Sequence, residues 1–304
     1  MDGGGGTLGK ADLENFPVAP GFLPAAWRTD LMAVYGFARL VDDAGDGDLA
    51  DPPGTARVLG VTLPEQAGET EFRLALLDGL ERDLDRVFET ALPGGAAGEG
   101  PRHPLLRALV PLVGKHAVTP EPFRRLIEAN RVDQVTSRYP TYQDLLDYCT
   151  LSADPVGRLV LALADVQTPE RIALSDAICT ALQIVEHLQD VAEDFGRGRI
   201  YLPGEDLARF GVTEAQLAEP VAGPELRALI AFEADRARTL LDRGAPLVGT
   251  VRGRLRLLLA GFTAGGYAAL AAIEAAGYDV LATQAKPDKR RLAAKAAALF
   301  AKGR

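Results

Sequence analysis

The chain has 304 residues, 47% of them hydrophobic, and 33 Lys and Arg against 42 Asp and Glu give a formal net charge of −9. That balance allows a large core and excludes a general nucleic-acid binder, which needs a basic face for phosphates, so no nucleic-acid partner is expected. Two cysteines, Cys149 and Cys179, both inside helical runs, are too few for a disulfide framework and point to a reducing cytoplasm.

Met1 is followed by Asp2 and a run of glycines with no apolar h-region, so no signal peptide is expected. Residues 1–12 read as a disordered Gly-rich N-terminus. No stretch of about 18 uninterrupted apolar residues occurs, so no membrane-spanning helix is expected.

Thr29 is an acceptable N-cap with Asp30 at the positive end of the helix dipole, which predicts a helix running to Val41. Leu31, Val34, Tyr35, Ala38 and Val41 supply its buried stripe, and Gly45 and Gly47 end or loosen it. Residues 51–68, rich in Pro and Gly, read as a long loop. Residues 69–92 carry Phe72, Leu76, Leu80, Leu84 and Phe88 at a spacing near four, which is an amphipathic helix. After a Gly-rich stretch at 93–104, a helix is expected over 105–116 despite Pro111. His103 and His116 are expected at the surface or in loops.

Thr119-Pro120-Glu121 signals the next helix, running toward Arg138, with Thr as cap. Thr141 caps another, which Asp154-Pro155 interrupts because a residue before proline disfavours helix. Thr168-Pro169-Glu170 opens a long helix expected to reach Asp194. Residues 196–224 read as irregular, with room for a short lid. Two further helices follow, over 226–241 and 252–276, and then a basic, Ala-rich helix from Lys286. No strand alternation and no fixed-period repeat appears, so the expected fold is a single all-α domain over residues 13–304.

Acidic residues concentrate at two places. A helix turns by about 100° per residue, so Gln183, Glu186, Asp190 and Asp194 share one stripe. Asp42 and Asp46, four apart, share another. Clustered carboxylates repel unless a cation sits among them, and such oxygen-rich sets suit Mg²⁺ shared with a substrate phosphate. The plainer alternative is a solvated acidic face. Asp43 either caps the helix or faces solvent. Arg39 and Arg199 could contact phosphate oxygens, or Arg39 simply pairs with Asp42 or Asp43. Tyr35, Phe37, Tyr139, Tyr148, Tyr201 and Tyr267 are candidate cavity residues, since aromatic faces stabilise cations. Core packing is the competing explanation for each. His187 shares the acidic face, where it orients water or diphosphate or makes a structural hydrogen bond.

Tyr35 through Asp46 and Gln183 through Asp194 resemble the two aspartate-rich motifs of the squalene and phytoene synthases. Gly198-Arg199-Ile200-Tyr201-Leu202-Pro203 is similar to the run after their second motif. Arg138-Tyr139, Tyr148-Cys149 and Ser152 through Leu159 are similar to their middle blocks. The resemblance covers residues 14–280. Glu14 through Ala19 and the pair Gln189-Asp190 look most like the branch that forms hydroxysqualene in bacterial hopanoid pathways. Glu186 departs from the family's common Asn, and His187 from a usually apolar or aromatic residue.

The resemblance implies an isoprenoid-synthase helical bundle around a central apolar cavity, its two acidic helices facing each other across a cleft. It implies Mg²⁺-dependent conversion of presqualene diphosphate to hydroxysqualene. Tyr35, Arg39, Tyr148, Gln183, Arg199 and Tyr201 would be catalytic, and Asp42, Asp46, Glu186, Asp190 and Asp194 would be metal ligands. An isoprenoid diphosphate is then the substrate. A presqualene diphosphate synthase and a hydroxysqualene reductase are functional partners. The cysteine count places the protein in the cytoplasm, and the basic tail from Lys286 either makes peripheral contact with anionic lipid at the inner face of the membrane or, the commoner case, is a solvated helix. With no Gly-x-Gly-x-x-Gly segment after a predicted strand, no NADPH is expected. The rival readings are head-to-head condensation of two prenyl diphosphates and, from a different class, a non-catalytic acidic helical scaffold.

Overall fold

A computed structural model describes residues 18–62, 68–91, 99–282 and 288–302. The Gly-rich N-terminus, the Glu14 to Pro17 part of the opening motif and residues 93–98 of the 93–104 stretch lie outside the described residues. Among the described residues the chain is helical, with one isolated bridge pairing Arg138 and Ile200 in place of any strand. The all-α expectation holds. The chain groups into two compact units, residues 1–135 with 158–167, and residues 136–157 with 168–304.

The first unit is built from α1 (Ala25–Asp46), α2 (Pro52–Leu59), α3 (Glu69–Ala91), α4 (Pro104–Arg107), α5 (Val110–Lys115) and α6 (Glu121–Val132). Helix α1 packs on α3, α4 and α6. Its Phe37 meets Phe123 of α6 edge to face, ring centroids 5.1 Å apart, inside a core that includes Leu40, Leu76, Leu80, Leu84 and Ile127. Several sequence expectations are corrected here. Helix α1 starts at Ala25, so Thr29 is no cap; its hydroxyl donates back to the Ala25 carbonyl at 3.1 Å. The helix passes through Gly45 and ends at Gly47, which adopts a left-handed conformation. The expected loop after Asp51 contains α2, because Asp51 accepts the Gly54 N–H at 2.9 Å and two prolines occupy the first turn. Residues 105–116 form two short helices, and α6 stops at Val132. His103 is buried and caps α4 through Nδ1, while His116 is half-buried, with its side chain 5% exposed and 3.2 Å from Asp30 of α1.

The second unit holds α7 (Tyr142–Ser152), the start of α8 (Asp154–Leu163), α9 (Pro169–Gln189), α10 (Val191–Gly196), α11 (Gly204–Phe210), a 3-10 turn at Glu214–Ala218, α12 (Pro224–Gly244), α13 (Leu247–Thr250), α14 (Gly253–Ala275) and α15 (Lys289–Lys302). Thr168 caps α9 by accepting the Arg171 N–H, as its sequence predicts. Helices α9, α12 and α14 pack against one another. Gly244 permits the closest of these approaches, since a Cβ there would lie 2.7 Å from the Leu174 carbonyl oxygen. By length and composition α14 could cross a membrane, but 61% of its most apolar window is buried within the protein. That burial is what a core helix shows, and α14 still contains no uninterrupted apolar run of spanning length, because Arg254, Arg256 and Glu274 break it.

Candidate active site

In the first unit the acidic motif forms the last turns of α1. Asp42 accepts a hydrogen bond from Asn130 Nδ2 at 3.1 Å, and the same amide nitrogen also donates to the Leu126 carbonyl. Gln134 donates to the Gly45 carbonyl at 2.9 Å and to that of Asn130 at 3.0 Å, tying the end of α6 to the motif. Gly45 is what allows this: a Cβ at that position would fall 2.2 Å from Asn130 Oδ1. Its role is close approach, so the sequence reading of Gly45 as a helix terminator is corrected. Asp43 is neither a cap nor solvated; it is buried and pairs with Arg39 at 3.0 Å. Burial pushes the Asp42 carboxyl up to about 6, with the Asn130 hydrogen bond and the Arg39 charge opposing. Asp46 and Tyr35 are half-buried on the same helix.

In the second unit the long helix expected to reach Asp194 breaks at Asp190, whose φ of −107° and ψ of 14° leave the helical region between α9 and α10. The ladder nevertheless carries across the break. Asp190 N–H donates to the Glu186 carbonyl at 3.0 Å, and Asp194 N–H to that of Asp190 at 2.8 Å. The i, i+4 succession of the acids survives the bend. Glu186 is exposed, while Asp190 and Asp194 are half-buried.

Beyond α10 the chain turns back so that Arg199 N–H reaches the Asp194 carbonyl at 2.8 Å. It then pairs with the segment before α7: Ile200 N–H donates to the Ser137 carbonyl at 2.9 Å and Gly204 N–H to that of Tyr139 at 2.8 Å. Arg138 locks the pairing with bonds to the Gly198 carbonyl and to both carboxylate oxygens of Glu214. This alignment stacks Tyr139 on Tyr201 at 5.6 Å and places Tyr148 within 5.6 Å of Tyr201. His187 lies flat on the other ring partner available to it, Tyr201, at 3.8 Å. Gln183 Nε2 is 3.2 Å from His187 Nε2, and His187 Nδ1 is 3.8 Å from Asp194. A small cleft with a cavity volume of about 10 Å³ opens here, lined by His187, Val191, Asp194, Arg199, Tyr201 and Leu217 among others.

Tyr148, Gln183, Asp194, Arg199 and Tyr201 thus come together, with His187 at their centre. Phe37 and Tyr267 do not join them. Phe37 is core, and Tyr267 bonds Asp242 beneath Lys295. Asn130, Gln134 and Arg138 were missed as supporting residues. The signal for Asn130 was an amide on the buried side of an amphipathic helix, where a polar group needs a partner.

Among the described residues no three His, Cys, Asp or Glu side chains gather as a ready metal cage. The donor chemistry fits Mg²⁺ all the same, because that ion is held through one or two carboxylates, with substrate phosphate and water completing its shell. Asp42, half-buried and with its charge only partly compensated, is a carboxylate a cation would stabilise.

Residues 10–291 match the squalene/phytoene synthase family model. A 15-cis-phytoene synthase from Synechococcus elongatus is 33% identical over 73% of this chain and 67% of its own length. A hydroxysqualene synthase from Zymomonas mobilis is 32% identical over 76% and 69%. Among solved structures, squalene synthase HpnC from Alicyclobacillus acidocaldarius superimposes with a TM-score of 0.73 at 41% identity, covering 89% of this chain and 92% of that one.

Proposed function

This chain belongs to the squalene/phytoene synthase family, enzymes acting on isoprenoid diphosphates, and from that premise we propose that it converts presqualene diphosphate to hydroxysqualene. The observation that carries the reading is the second-unit pocket, where the Tyr201 face and its stacked neighbours stand beside Arg199, His187 and Asp194. An apolar, aromatic wall suits a carbocation, and a cationic edge suits a departing diphosphate.

On this reading the carbon–oxygen bond to the diphosphate breaks and the electron pair leaves with it. The cyclopropylcarbinyl cation rearranges, water adds, and a proton is lost to give the alcohol. Arg199 binds diphosphate oxygens. Arg39, held by Asp43, keeps a guanidinium beside Asp42. The rings of Tyr148 and Tyr201 in the second unit exclude water and stabilise positive charge, Tyr35 offers a ring on α1 of the first, and Gln183 orients His187. Mg²⁺ would be held by Asp42 and Asp46 in the first unit's motif and by Asp190 and Asp194 in the second's, with Glu186 as a further carboxylate. Bound there, it would neutralise the leaving diphosphate. No reductant enters the balance, so NADPH has no role. An enzyme forming presqualene diphosphate must supply the substrate, and a reductase would consume the alcohol. We place the protein in the cytoplasm, peripheral to the inner face of the membrane.

The equal identity to a phytoene synthase favours one second reading, condensation of two prenyl diphosphates. Product analysis decides between them. Hydroxysqualene from presqualene diphosphate, unchanged by NADPH, is expected. A C30 or C40 hydrocarbon or presqualene diphosphate from simple prenyl diphosphates would establish the second reading instead.

A further inference from the structure

The last helix of the second unit is strongly basic on a chain of net charge −9. Helix α15 carries Lys289, Arg290, Arg291, Lys295 and Lys302 and no acid. Three of these cations occupy its first turn, against the helix dipole, so helix formation does not explain them. None of its residues is buried, yet Leu292, Ala296, Leu299 and Phe300 are half-buried and share the side turned toward α14. Arg256 of α14 lies over the Phe300 ring and donates to the Phe300 carbonyl, and Lys295 lies 3.8 Å from the centroid of Tyr267. The two helices therefore run antiparallel. Exposed Arg252 and Arg254, at the start of α14, come to the same end as Lys302, with Leu257, 40% exposed, one turn further along.

We propose that this face, α15 with the opening turn of α14, docks the protein on the anionic surface of a lipid bilayer. The apolar side of α15 is already spent on α14, and its outer side is largely alanine, so the contact is electrostatic rather than a deep insertion. Leu257 among the arginines supplies a shallow apolar contact. Nucleic acid is the poorer occupant, since the chain carries a net charge of −9. The outward face also offers no aromatic ring to stack on bases, since Phe300 is turned in beneath Arg256. A planar anionic sheet, by contrast, can be met by one face while the acidic remainder of the protein points away. The proposal shares with the functional reading only its membrane placement, and its test reads partitioning rather than product, so either can fail alone.

The test is co-sedimentation of the full chain with vesicles of phosphatidylcholine, with and without phosphatidylglycerol, at low and high salt. Binding is expected only to the anionic vesicles and is lost at high salt. Each basic residue at such a surface is worth roughly fivefold in partitioning. Arg290→Glu with Arg291→Glu should therefore lower binding by more than an order of magnitude, and Arg252→Glu with Arg254→Glu similarly. Lys302→Gln, which alters a single exposed terminal residue, should cost a few-fold and guards against misfolding of the double variants. Equal binding to both vesicle types, or unchanged binding by correctly folded variants, overturns the proposal. So does a preference for duplex DNA or for a second copy of the chain over anionic vesicles.

Discussion

The imidazole of His187 lies face to face with the phenol ring of Tyr201, centroids 3.8 Å apart and planes within 10° of parallel. One residue comes from the last turn of α9 and the other from the extended segment after α10. The stack therefore fixes the distance between the acidic helix and the wall of the pocket. His187→Phe should preserve this contact and most of the activity. His187→Ala should lose a stacking contribution of about 0.5–1.5 kcal/mol and, with it, roughly tenfold in turnover. Paired melting curves and rates read both effects. If Phe damages the enzyme as much as Ala, the polar edge toward Gln183 and Asp194 matters more than the stack.

Gly45 should tolerate no side chain. Gly45→Ala pushes a methyl into Asn130, and overpacking of this kind costs about 1–3 kcal/mol. The displaced amide would also abandon Asp42. Chemical denaturation should therefore show lower stability together with a large loss of turnover. Adding Asn130→Ala should recover part of the stability and none of the activity. Full recovery of both would mean that the Asn130 bond to Asp42 has no functional part.

Glu186 is exposed and stands one helical turn before Asp190. Glu186→Gln should shift a Mg²⁺ titration, read as thermal stabilisation at fixed diphosphate, to higher metal concentration. Turnover should fall less than in Asp190→Ala, because an amide oxygen can still coordinate. Superimposable titrations would remove Glu186 from the ligand set.

A buried group that does not line the pocket sets a pH dependence. Glu233 is buried on α12 beside Asp206 of α11, with Arg236 bridging them and resting on the Tyr142 ring. Burial pushes its carboxyl up to about 8, with Asp206 adding and Arg236 opposing. The unfolded chain ionises near 4.5, while the folded protein holds the proton. The contribution is thus fully favourable below 4.5 and is lost as pH rises toward 8. Glu233→Gln should gain on the order of a few kcal/mol at pH 8 and nothing at pH 4.5. Urea midpoints across that range check it, and parallel pH profiles for both proteins would refute it.

Much of the local structure was legible because its causes are local. Thr168-Pro169-Glu170 and Thr141 cap helices in the structure as they do on paper, since capping needs only a short stretch of backbone. The acidic stripe from Glu186 to Asp194 was legible from helical period alone. What escaped were effects of partners distant in sequence. Gly45 looks like a terminator until Asn130 approaches it from 85 residues away. Asp43 looks solvated until Arg39 and the packing around α1 bury it. Asp51 to Leu59 looks like loop because proline counts against helix interiors, though it is welcome at a first turn. The bend at Asp190 has no signature we can identify in the residues around it.

The short pairing between residues 137–140 and 198–204 is held through backbone groups, the Ser137 and Tyr139 carbonyls with the Ile200 and Gly204 amides. Its register therefore does not depend on the side chains of residues 199 and 201; the one side chain that braces it is Arg138, through the Gly198 carbonyl and Glu214. Residues 199 and 201 project toward the pocket from a frame that survives their replacement. A descendant of this chain could exchange those two side chains, reshaping what the pocket accepts, without first having to reinvent the scaffold. Product diversity among such enzymes then needs only point substitutions on an unchanged ribbon, and a library randomised at 199 and 201 alone is the economical place to look for it.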